Sequence, residues 1–217
     1  MVQTAYHHGD LRVALVQTAF EAARTGGTEA IVMREVTRRA GVTPRAAYRH
    51  FLDRDALVRA VAQRALAELA AAVDDRLEVR DDADGPDGRQ MLQAVGEAYI
   101  AFALDEPGLF DAAFFAMDDM LSSTSPEATA RSGLSPYQQL ELALAALVRE
   151  GRLAEEHVGD ATITCWSGVH GYATLTARGP LRELPRELID DQGRRLVASL
   201  VDAVTALTGP TTKGNLP

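Results

Sequence analysis

The chain is 217 residues long and 47 % hydrophobic, with 22 basic and 31 acidic side chains and a formal net charge of −9. That composition is globular, with apolar residues enough for a sizeable core in one extended domain or two, and the negative total taken alone argues against a nucleic-acid binder. No run approaches the roughly 18 uninterrupted apolar residues of a membrane span, and the polar opening MVQTAYHHGD lacks a signal-peptide core, so a cytoplasmic protein with no membrane partner is expected.

The most informative stretch is REVTRRAGVTPRAAYRHF, residues 34–51. Met33, Val36 and Ala40 repeat at three and four residues and so share one helix face, with Arg34, Glu35, Arg38 and Arg39 turned outward. Gly41 suits the left-handed turn that ends many helices. Thr43 and Pro44 then restart the chain as N-cap and first-turn proline, giving a second helix from Pro44 to about His50. Two short helices across a tight turn are a helix-turn-helix signature. The second displays Arg45, Ala46, Tyr48, Arg49 and His50: arginine pairs with guanine in bidentate fashion, a small side chain fits a thymine methyl, and a tyrosine hydroxyl reaches a phosphate. Phe51 closes the unit from inside. The charge distribution agrees, because residues 1–64 carry 10 arginines and 6 carboxylates, a net of +4, and the remainder carries the compensating −13.

Every later periodicity is helical, which makes the fold class all-α. Leu57, Val61, Leu66, Leu69, Val73 and Leu77 mark a long helix from about Asp55 to about Val79, broken by DDADGPDG at 81–88. Leu92, Val95, Tyr99 and Phe102 mark another that ends before Pro107. The segment PGLFDAAFFAM, 107–117, is short and aromatic, and 118–134 has the composition of a loop. Ser135 and Pro136 open a helix that carries Tyr137, Leu140, Leu144, Leu147 and Val148 inward and ends near Gly151. Two more run from about Asp160 to about Arg178 and from about Pro185 to about Leu207. The first holds the small residues Gly168, Gly171, Ala173 and Ala177, which permit close helix approach; the last has a broad apolar face including Ile189, Leu196, Val197, Leu200, Val201 and Val204. The lone Cys165 forbids an internal disulfide and reads as a small buried hydrophobe.

Residues 6–64, from YHHGDLRVALVQTAFEAARTGG through the turn to FLDRDALVRAV, resemble the DNA-binding domain of the TetR family of bacterial transcriptional regulators. The resemblance implies a supporting helix from near Asp10, a reading pair around Gly41, and a connector helix leading to a helical ligand-binding and dimerisation domain. It implies a division into residues 1–54, which read DNA, residues 55–209, which bind ligand and dimerise, and a disordered tail at 210–217. By position, the DNA contacts it implies are Thr43, Arg45, Tyr48, His50 and Arg54, joined by Arg34, Pro44 and Ala46 on the same two helices. The chain departs from the family pattern in three places. Val32 stands where a Ser or Thr cap is usual, Arg54 where a lysine phosphate contact is common, and Pro44-Arg45 is a minority pair.

The last two helices resemble the pair that forms a four-helix bundle across the two-fold axis of TetR-like dimers, with Gly168, Gly171, Leu196, Leu200 and Val204 at the interface; ordinary core helices are the alternative. A homodimer is also what two half-sites of an inverted-repeat operator require. The string WSGVHGYATL, 166–175, is similar to a Trp-x-x-x-His-Gly element of one TetR subgroup. Trp166 and His170 share a helix face, which suits either a stacked structural pair or a ligand contact. Tyr99, Phe102, Phe114, Met117, Trp166 and His170 are the residues expected around an apolar effector cavity, with core packing as the alternative. The histidines are scattered, and HExxH, CxxC, a glycine-rich phosphate loop and a Gly-x-Ser-x-Gly elbow are all missing, so no enzyme, metal site or cofactor is expected. The function that follows is a repressor released from DNA by a small apolar effector; a regulator driven by a protein partner is the second reading.

Overall fold

The computed structural model describes residues 8–78, 85–115 and 125–207, with side chains from residue 11 onward. Among these residues all regular structure is helical: α1 (His8–Gly26), α2 (Met33–Arg39), α3 (Pro44–Ala47), α4 (Arg54–Glu78), α5 (Gly88–Asp105), α6 (Pro107–Phe115), α7 (Pro136–Arg149), α8 (Val158–Ala177) and α9 (Arg186–Thr205). Single 3₁₀ turns occupy Thr28–Ala30, Pro126–Ala128 and Glu155–His157. The expected tail at 210–217, Met117 and the end of the connector at Val79 lie outside the described residues.

The chain divides into two compact units, Met1–Ala70 with Asp105–Ser135 and Ala71–Leu104 with Pro136–Pro217. In the first, Leu15, Phe20, Ile31, Val36, Ala47, Phe51, Leu57 and Val61 are buried. Helix α6 joins this unit by lying on α1 so closely that a Cβ at Gly108 would stand 2.1 Å from the carbonyl oxygen of Ala23. The arginine that follows Ala23 seals the contact: Arg24 reaches Glu68 of α4 at 3.0 Å and Glu106, just before α6, at 2.9 Å. In the second unit Leu92, Leu140, Leu144, Leu147, Val169, Val197 and Val201 are buried. Asp87 and Gln90 open α5 as a reciprocal capping box, with Gln90 N–H on the Asp87 carboxylate and Asp87 N–H on Gln90 Oε1, both 2.8 Å. The Gln90 amide and the Arg152 guanidinium hold the Asp87 carboxyl below its ordinary range against the opposing effect of burial.

Helices α8 and α9 pack inside one protomer through the small residues. A Cβ at Gly168 would stand 2.7 Å from Leu200, and one at Gly96 of α5 would stand 2.9 Å from Val197. Val204, expected at a subunit interface, is only 1 % exposed, which leaves it no surface to give a second copy. The a/d-like row Ile189, Gly193, Val197, Val201 and Val204 is thus the core face of α9.

Candidate functional site

The α2–turn–α3 segment forms as its residues dictate. Val32 precedes α2 without a side-chain cap, as a valine must. Gly41 adopts φ +70°, and the amides of Gly41 and Val42 return to the carbonyls of Arg38 and Thr37 at 3.2 and 3.0 Å, a Schellman closure. Thr43 then caps α3, its hydroxyl accepting from the Ala46 amide at 3.3 Å. Helix α3 is shorter than the expected span to His50. It ends at Ala47, and Tyr48–His50 form a turn in which the amides of His50 and Phe51 converge on the Ala47 carbonyl at 2.9 and 3.0 Å.

The chemistry of this surface lies in which cations are left over. Among the described residues, Arg34, Arg39, Arg45 and Arg49 are exposed and paired with no carboxylate. Arg38, by contrast, is bound to Glu35 at 2.6 Å. Tyr48 is 52 % exposed beside Arg45 and Arg49, while Ala47 is fully buried and anchors the turn. Thr43 and Pro44 are exposed and Ala46 is half-buried; His50 is half-buried and already engaged within the chain. Arg54 departs from the expected phosphate contact. Its Nε donates to the Ile31 carbonyl at 2.9 Å and its Nη2 to the Thr28 carbonyl at 2.6 Å, so the guanidinium ties the 28–31 turn to the start of α4. Sequence position alone does not set Arg39 and Arg49 apart; what distinguishes them is that neither forms an ion pair with a carboxylate of the described residues.

The residues expected around an effector separate into two groups. Tyr99, Phe102, Trp166 and His170 fall in the second unit, and Phe114 falls in the first, where its ring lies 5.0 Å from that of Phe110. Tyr99 is 6 % exposed, and its hydroxyl lies 2.7 Å from His170 Nδ1. The indole of Trp166, whose N–H can only donate, acts on the same phenol and favours its charged form. The Trp166 ring meets Tyr137 edge-on at 6.2 Å, and His170 meets Tyr99 edge-on at 6.2 Å. Burial pushes the Tyr99 phenol well above its ordinary range, with the Trp166 indole opposing it, and burial also holds His170 below its ordinary value. Lowered from an ordinary value already below 7, the imidazole is uncharged at neutral pH, so its Nδ1 accepts from or donates to the Tyr99 hydroxyl according to its tautomer. Phe102, 7 % exposed, lies one turn beyond Tyr99 on α5. Burial pushes the Cys165 thiol up to about 11, which leaves it protonated and unreactive at neutral pH. No helix of the described residues is long and apolar enough to cross a membrane.

Comparison with known proteins places this geometry. Residues 15–61 match the family model for bacterial regulatory proteins of the tetR family, and residues 92–208 match that for the tetracycline repressor-like C-terminal domain. An uncharacterised HTH-type transcriptional regulator of Bacillus subtilis, YobS, is 24 % identical over 164 residues, covering 76 % of this chain and 78 % of the relative. Among solved structures, a protein of unknown function from Rhodococcus sp. RHA1 superposes with a TM-score of 0.70 at 23 % identity, covering 94 % of this chain and all of that one. A TetR variant from Acinetobacter baumannii AYE in complex with minocycline gives 0.66 at 17 % identity, covering 95 % of this chain and all of its own. With a helix-turn-helix that leaves Arg34, Arg39, Arg45 and Arg49 outside any ion pair of the described residues and a matching C-terminal domain over more than half its length, the chain belongs to the tetR family and is a DNA-binding transcriptional regulator, not an enzyme.

Proposed function

We propose that this regulator is a homodimeric repressor, acting in the cytoplasm on an inverted-repeat operator and released from it by a small, mainly apolar effector with a hydrogen-bonding group. Residues 1–54 read the DNA, with Arg45 and Tyr48 at the centre of the reading surface and Arg34, Arg39 and Arg49 around them. Residues 55–209 hold the effector and the partner subunit. The observation that carries the effector reading is the Tyr99–His170 hydrogen bond with the Trp166 indole acting on the same phenol, three polar-tipped side chains drawn together at the α5–α8 seam among buried apolar residues. Such convergent polar groups on an apolar background are what orient a bound small molecule. The relative that binds minocycline has the same fold, which supports a ligand-binding role for the C-terminal domain.

Coupling follows from differential affinity. An effector that binds one arrangement of the body better than the other shifts the population toward it, and the spacing of two recognition helices then ceases to fit two half-sites. The test is a panel of apolar and aromatic metabolites carrying hydroxyl, amide or carbonyl groups, screened by melting temperature; a ligand at about 100 times its Kd stabilises by about 2.7 kcal/mol. A hit should also release the protein from operator fragments selected from genomic DNA, and Tyr99→Phe should weaken that response. If no compound of a broad panel stabilises the protein or releases it, control by a protein partner becomes the better account.

A further inference from the structure

We propose that Arg12 is a DNA-backbone clamp, set in place by the ring of Phe51; the proposal rests on the reading of residues 1–54 as the DNA reader. Arginines of the first unit differ in what they are bound to. Arg24 is taken by Glu68 and Glu106, Arg38 by Glu35, and Arg54 by the carbonyls of Thr28 and Ile31. Arg12, on the second turn of α1, is exposed and pairs with no carboxylate among the described residues. It lies instead on an aromatic face: the guanidinium carbon stands 5.4 Å from the centroid of the Phe51 ring.

Two consequences follow from that partner. Phe51 is 3 % exposed, and its amide bonds to the Ala47 carbonyl at 3.0 Å, so the ring is fixed at the end of the turn that carries Tyr48 and Arg49. A cation stacked on it is therefore delivered from α1 to the border of the reading surface. The second consequence concerns charge. A carboxylate partner would neutralise the guanidinium; an aromatic ring orients it and leaves both the positive charge and the in-plane N–H donors for another acceptor. Planar donors in a fork match phosphate oxygens in bidentate geometry, and the stacking removes part of the rotamer freedom that an unanchored arginine would lose on binding.

The chain contains its own control. Arg64 lies 4.3 Å from the Phe20 ring and also donates to Gln17. Phe20 is eight residues beyond Arg12, about 12 Å further along α1 at 1.5 Å per residue, away from the α3 turn. Removing either arginine subtracts one charge and one cation–ring interaction, but only Arg12 is placed to reach the backbone.

The experiment measures affinity for a random-sequence DNA duplex between about 50 and 200 mM salt and takes the slope of log K against log salt, whose magnitude is about 0.9 for each phosphate that the protein neutralises. Arg12→Gln should make the slope shallower by about 0.9 per bound protomer. Arg12→Met, which keeps an apolar stem over Phe51, should show the same decrease, and Arg12→Lys should retain the slope because it retains the charge. Arg64→Gln should leave it unchanged. A wild-type slope in a folded Arg12→Gln protein overturns the clamp, as does wild-type behaviour of Arg12→Met, which would make the Phe51 stacking a matter of packing. Equal decreases in Arg12→Gln and Arg64→Gln overturn it too, by showing a general charge effect. A wild-type protein with no duplex affinity at all overturns the clamp together with the DNA-reader assignment, and is thereby distinguishable from failure of the clamp alone.

Discussion

Arg45 and Arg54 lie nine residues apart on either side of one turn, carry the same charge, and do different work. Arg45 is exposed and unneutralised at the middle of α3, whereas Arg54 spends its guanidinium on the carbonyls of Thr28 and Ile31. Hydrogen bonds from a charged donor contribute about 1.5 to 3 kcal/mol each, so Arg54 stabilises the unit that presents Arg45. Arg45→Ala should cost about 1 to 3 kcal/mol on specific DNA and relax the preference at one base pair, with the melting temperature unchanged. Arg54→Ala should lower the melting temperature, with about 2 kcal/mol lost from folding, and weaken DNA binding only as far as the unit loosens. Selection of bound sequences and thermal melts on both variants check this. Should Arg54→Ala bind DNA poorly while melting like wild type, its guanidinium would belong on a phosphate after all.

Among the elements, α2 and α3 are the most legible in the sequence, because local chemistry decides them. Gly41 has to supply a positive φ, Thr43 a cap and Pro44 a first turn, and each does so in place. The early end of α3 is not legible: it depends on two amides sharing the Ala47 carbonyl, and no residue at 48–50 announces it. The attachment of α6 is hidden for a stronger reason. PGLFDAAFFAM tells of apolar residues without telling which neighbour buries them, and that neighbour is α1, some eighty residues earlier. The same limit applies to Val204, whose apolar row fits a core as well as an interface, and to Trp166, whose partner on α5 no helix periodicity could reveal. Gly108 is the residue on which the α1–α6 packing turns. Gly108→Ala would press a methyl into the Ala23 carbonyl and should cost at least about 1 to 3 kcal/mol, read as a lowered melting temperature. Gly159→Ala, where nothing lies within 4 Å of the new methyl, should be neutral or slightly stabilising. Equal melting of both variants would show that α6 can lift away from α1 without cost.

At the scale of the whole molecule, the proposed reading of two half-sites needs two copies, and the place proposed for the second copy is an uncharged stripe on the second unit. Thr164, Gly168, Gly171 and Leu175 recur along α8, and Leu188, Gln192, Leu196, Ser199 and Ala203 recur along α9, two rows without a charged residue. Leu175 and Leu188 are 44 % and 42 % exposed. Within this stripe Gly168 is already filled by Leu200 of its own chain, while a Cβ at Gly171 would meet nothing within 4 Å. That difference makes Gly171 the better probe of assembly. Gly171→Arg starts from a Cβ that meets nothing within 4 Å, and it places a charge and a long side chain where a second copy is proposed to pack. Sedimentation should show monomers, and operator affinity should fall with them; a variant that stays fully dimeric would move the interface off the α8–α9 stripe. Leu200→Asp would answer less cleanly, because Leu200 also holds α8 to α9.

The tryptophan count is one, and Trp166 acts on the Tyr99 phenol with the Tyr137 ring at its edge. All indole fluorescence of the protein therefore originates within the network that is proposed to sense the effector. A molecule that inserts between Tyr99 and His170 would change the polarity and hydrogen bonding felt by the only indole, and the colour of the emission would shift on binding. One that binds on the DNA-reading surface would leave the colour as it was. The regulator thus carries an optical gauge of its own occupancy, and an unlabelled titration reports which site a compound has found.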